Sequence, residues 1–137
     1  MVDIAVLRFA LLDLHRAVIA HVRQDYEREN GRVSPADFLQ TLVNDAAYAW
    51  LSPLSTAIVE LDQAMDGAEG SDPQAAVASA RSLFAPKRAR KAFDTLYEPL
   101  LQVSPDVLFS HGKVMEALRG RGRAVFGDTS KIVQSAA

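Results

Sequence analysis

Cysteine is absent from the whole 137-residue chain, which removes disulfides, zinc-thiolate sites and thiol nucleophiles together. Long apolar runs are missing too: Arg8 and Asp13 break the best candidate well short of the ~18 residues that a membrane span needs. Asp3 stands where a secretion signal would carry positive charge, so the expectation is an unprocessed, cytoplasmic chain with no membrane partner. No segment alternates apolar and polar residues for long enough to make a strand. Positive charge is missing from residues 33–80, which hold seven acids and neither lysine nor arginine. Residues 81–123 carry nine bases against four acids, so the net charge of −2 conceals two blocks of opposite sign. Such blocks either pair within the fold or leave a basic face for an acidic partner, and internal pairing is the simpler reading.

What is present is helical periodicity. The stretch Asn44 to Asp66 holds the only tryptophan, and Ala47, Trp50, Leu51, Leu54, Ile58, Leu61 and Met65 recur in it at helical steps. We take it as the central rod of the fold. Pro53 has no amide to donate and crowds the preceding turn, so the rod either kinks there or restarts with Ser52 as N-cap. Before it, a first helix is expected from Asp3 to Asn30, closed by Gly31, with a stripe of Ile4, Leu7, Leu11, Leu14, Val18, Val22 and Tyr26. Phe9, Leu12 and Ile19 lie outside that stripe, so this helix is buried on two sides: it is central in a bundle, or forms half of a homodimer interface. Ser34 and Pro35 open a short second helix that buries Phe38, Leu39, Leu42 and Val43.

After the rod, the turn at residues 67–72 leads to an alanine-rich helix from Pro73 to Phe84. A basic run, Lys87, Arg88, Arg90 and Lys91, heads a helix carrying Phe93, Leu96, Tyr97, Leu100 and Leu101, which Pro99 kinks or shortens. Ser104 and Pro105 start the last helix, with Leu108, His111, Met115 and Leu118 directed inward. The fold class is therefore all-α: a single-domain bundle of five or six helices over residues 1–123 with a flexible tail from 124 to 137.

Candidate sites are few. His15 and His111 sit on apolar faces and could meet in the core, but neither has the glutamate three residues earlier that di-iron bundles use, so hydrogen-bonded core histidines are the simpler reading. Asp62 and Asp66 lie one turn apart at a helix end whose dipole is already negative, which demands a cation: a divalent metal or, more simply, the basic run before Phe93. Arg88, Arg90, Lys91, Arg119, Arg121 and Arg123 are the candidates for phosphate or nucleic acid, yet no exposed aromatic or amide side chains stand beside them to read a base. No phosphate loop, nucleophile elbow or zinc-protease pattern occurs, so no residue receives a catalytic role and no cofactor is implied.

The segments YERENGRVSPADFLQ, LVNDAAYAWLSPLS and AIVELD, from Tyr26 to Asp62, resemble an uncharacterised family of small all-helical bacterial proteins. The resemblance implies a helical fold and a bacterial source; it carries no activity, cofactor or functional residue. The leading expectation is thus a non-catalytic interaction or structural module, a homodimer through Phe9, Leu12 and Ile19 that also docks an unidentified protein partner. Its alternatives are a ligand- or metal-binding bundle using His15, His111, Asp62 or Asp66, and a weak nucleic-acid binder.

Overall fold

A computed structural model describes residues 2–86 and 90–120. Their regular secondary structure is all helical, with no strand among them. The first helix, α1 (Ile4–Asn30), starts where the Asp3 carboxylate accepts from the amides of Ala5 and Val6, and it ends at Gly31, whose φ of 86° suits glycine. At 27 residues it is roughly 40 Å long. Leu7, Leu11, Leu14 and Val18 on it are fully buried, as the stripe predicts.

Next come α2 (Pro35–Asn44), a 3-10 helix (Ala46–Leu51) and α3 (Ser52–Met65). The rod therefore restarts at the proline. A proline at position 53 of a continuous α-helix would clash with the carbonyl four residues back, whereas in the first turn its missing amide costs nothing. Ser52 lies inside α3 rather than capping it, because the cap position is Leu51 with no side-chain bond. Ala47 and Met65 are exposed, at the two ends of the expected stripe.

The remaining elements are α4 (Pro73–Phe84), α5 (Ala92–Tyr97), the single turn α6 (Leu100–Val103) and α7 (Pro105–Leu118). Pro99 divides the expected helix into α5 and α6. Arg90 and Lys91 precede α5 instead of lying in it. The 124–137 tail, with Lys87, Arg88, Ala89, Arg121 and Arg123, lies outside the described residues.

Two pairs set the α1 and α3 register. Arg8 bonds Asp62, and His15 lies 3.4 Å from the Ser55 hydroxyl, so the helices run antiparallel. The Arg81 guanidinium donates to the Leu118 carbonyl at 2.8 Å and Phe84 meets His111 edge-on, so α4 and α7 are antiparallel too. Arg81 thereby satisfies an orphan carbonyl and answers the dipole at the end of α7. Because α1 packs against both α7 and α3, the core sits among these three helices, and α1 rather than the 44–66 stretch is the central element. Buried Ala57 on α3 and buried Ala76 and Ala80 on α4 let that pair approach closely, as the alanine content predicts.

Several expected core positions face outward. On α2 only Phe38 is buried, between Tyr26 and Tyr48, while Leu39 and Val43 are exposed. The inward row of α7 is Val107, Val114 and Leu118 with half-buried His111, so Leu108 is turned out. Leu96 is exposed as well, since α5 is covered on only one side, through Phe93 and Tyr97.

Candidate functional site

The local chemistry around Pro53 opens a cleft. Asp45 accepts from the amide of Ala47 at 2.9 Å and starts the 3-10 turns that deliver Trp50 beside the first turn of α3. On α3, Ser52, Thr56 and Glu60 follow at steps of four and so share one face; on α4, Ser79 and Ser82 do the same at a step of three. Both polar rows line one open cleft of about 650 Å³, together with Trp50, Phe93, Lys91 and Asp94. This volume is in the usual range for small-molecule sites. The rings of Trp50 and Phe93 lie 6.3 Å apart at 48°. Asp94 is buried and accepts from the amide of Lys91 at 2.9 Å, which fixes the start of α5.

Behind the cleft lies an aromatic cluster. Phe93 stacks on Tyr97 at 4.9 Å, Phe84 packs edge-on against both, and the Tyr97 hydroxyl lies 2.7 Å from Nδ1 of His111. Burial pushes the Tyr97 hydroxyl above its ordinary value and holds His111 below its own, so both partners of this hydrogen bond favour their neutral forms. Burial also lowers His15.

The sequence candidates are not brought together by this architecture. His15 faces Ser55 on α3 and His111 faces Tyr97 on α5, each with its own partner. Asp62 is answered by Arg8 of α1 rather than by the basic run before Phe93, and Asp66 is the C-cap of α3. No cluster of three or more metal-ligating side chains occurs among the described residues. Of the basic candidates, Arg90 forms a two-pronged ion pair with Glu98, at 2.6 and 3.3 Å, and also donates to the carbonyl of Asp94. Arg119 is exposed at the end of α7. Among the described candidates, Lys91 alone lines the cleft. Trp50, Glu60 and the hydroxyl rows were the missed residues, although Ser52, Thr56 and Glu60 at steps of four were a readable polar stripe on the back of the rod.

No family model matches this chain, and no curated protein or solved structure matches it either. What the site can do must therefore come from its own chemistry. The cleft offers an aromatic wall, hydroxyls and charges of both signs, which suits binding; none of these groups is arranged as a nucleophile with its base.

The histidines give a pH prediction. Both have folded-state values depressed below 6.5, so as pH falls through 6.5 the unfolded chain takes up protons first. Their contribution to stability is fully present above pH 6.5 and is lost as pH falls toward the lower folded-state values. Urea midpoints measured on both sides of that pH are expected to drop on the acid side, with a smaller drop when His15 and His111 are replaced by asparagine and glutamine. A flat midpoint across the interval contradicts this account.

Proposed function

We propose that the protein is a non-catalytic helical module that pairs with a second copy of itself through the outer surface of α1 and α3. The observation that carries this reading is Phe9, which is 67% exposed on a helix otherwise central to the core. Leu12 follows one turn later on α1, and Val59 on the adjacent antiparallel α3 is itself 50% exposed. Ile19, half-buried, extends the row along α1. Arg8, Asp13, Arg16 and Asp62 border it with two charges of each sign. Such a border can face its own copy across a two-fold axis without like charges opposing. The other large exposed ring among the described residues, Phe109 on α7, is covered by the Lys113 ammonium 4.9 Å from its centroid, so it is the less available of the two.

Among the described residues no helix is long and apolar enough to cross a membrane, so these apolar side chains are not part of a helical span. A nucleic-acid role draws little support, because Arg90 is already held by Glu98.

The test is Phe9→Lys. Phe9 has little to lose from the core, and lysine one turn before Asp13 is compatible with helix, so the circular dichroism spectrum is expected to stay unchanged. Sedimentation velocity is expected to show a dimer for the wild type and a monomer for the variant, with association weakened by about 2 kcal/mol or roughly thirty-fold, as for a central interface residue. Equal masses for the two proteins would overturn the proposed surface.

A further inference from the structure

On a neighbouring face of α3 the cleft contains two charges of unlike sign that have no partner among the described residues. Glu60 on α3 is half-buried and Lys91 ahead of α5 is exposed; both line the cleft, and neither side chain has an ion-pair or hydrogen-bond partner among the described residues. Elsewhere the fold pairs such groups readily, as in Arg8 with Asp62 or Arg90 with Glu98. Here Glu60 of the acidic block and Lys91 of the basic block line one cavity without pairing to each other. Asp94, the other carboxylate of the cleft, is engaged by the Lys91 amide. A half-buried carboxylate gains most from a charged donor, because partial removal of water strengthens the bond. Trp50 and Phe93 line the same cleft, their rings favouring a flat or apolar group, and the hydroxyls of Thr56 and Ser82 can bond to whatever polar atoms remain.

We infer that this cleft binds a small zwitterion with an aromatic side chain, of the free amino acid or dipeptide class: its ammonium on Glu60, its carboxylate on Lys91 and its ring against Trp50. A cation alone would leave Lys91 unmatched, and an anion alone would be repelled by Glu60. A zwitterion answers both, and its net neutrality suits a cavity that presents both signs.

Trp50 is the chain's only tryptophan, so its fluorescence reports on the cleft directly. The full chain would be titrated with L-phenylalanine and with the dipeptide phenylalanyl-alanine, neither of which emits under tryptophan excitation. A saturable change with at least one of them is expected, and capping the amine of the responding compound with an acetyl group is expected to weaken it about ten-fold or more. Glu60→Gln should weaken the uncapped compound by a similar factor and make the acetyl group indifferent, while Lys91→Gln should weaken both forms equally. Both side chains are at least partly exposed, so these variants are expected to keep the wild-type circular dichroism spectrum. No saturable response to either compound into the millimolar range would overturn the inference, as would a response that Glu60→Gln and Lys91→Gln leave unchanged. Self-association measured on the same samples is expected to be unaffected, which separates this site from the α1 surface.

Discussion

Tyr97→Ala is expected to destabilise the protein by about 3–5 kcal/mol, the usual cost of deleting a large buried aromatic ring. Tyr97 is only 2% exposed; it stacks on Phe93, meets Phe84 edge-on and holds His111, so the truncation opens a cavity where α4, α5 and α7 converge. Each aromatic pair lost adds roughly 0.5–1.5 kcal/mol beyond area burial. Tyr97→Phe keeps the ring and removes only the hydroxyl, leaving Nδ1 of His111 without its partner, at a cost of about 1–3 kcal/mol. Ring packing should therefore outweigh the hydrogen bond. Urea denaturation of both variants checks the order, and equal losses would mean that the hydroxyl, not the ring, ties the cluster together. Because a domain of this size has about 5–15 kcal/mol in total, Tyr97→Ala is expected to sacrifice a large share of it.

The second large effect is expected at Leu14, fully buried on α1 where α3 and α7 close over it. Leu14→Ala removes three carbon atoms from a close-packed site and should cost about 2–5 kcal/mol, the spread depending on how far α3 and α7 relax into the space. Leu108→Ala makes the same chemical change at a position 53% exposed and is expected to fall within about 0.5 kcal/mol of wild type. The pair separates burial from composition. Thermal melts of the two variants would show a wide gap, and similar melts would place Leu108 in the core and rotate α7 away from the described packing.

Leu108 also illustrates how far the sequence could be read. Helix ends were legible wherever a local side chain makes them: Asp3 and Gly31 bracket α1, and Ser34 and Ser104 accept from the amides of Asp37 and Val107. Such capping acts within three residues, so it is written in the local sequence. Faces were less legible. On α7 both Val107 and Leu108 fit a helical row with Leu118, and the larger side chain was the natural choice; the fold buries the smaller one because α1 passes close by. Leu39 and Val43 were read as core on the same grounds, yet α2 is too short and too lightly covered to bury more than Phe38.

Partnerships across the fold were not legible at all. Asp62 needed a cation, and the chain's charge blocks pointed to the basic run, but the answer is Arg8, 54 positions away on the antiparallel helix. The same limit hid the cleft. Its polar row on α3 was visible as periodicity, but nothing local announces that α4 brings Ser79 and Ser82 to face it, or that the chain returns at Lys91 to close one side. Phe9 is the opposite case. Its departure from the α1 stripe was readable from spacing alone, and its exposure now motivates the proposed self-association.

That self-association is the central claim, and native mass spectrometry of the freshly purified wild-type protein tests it most directly. A predominant species of twice the chain mass at micromolar concentration is the predicted result. A monomer across that range would contradict the account.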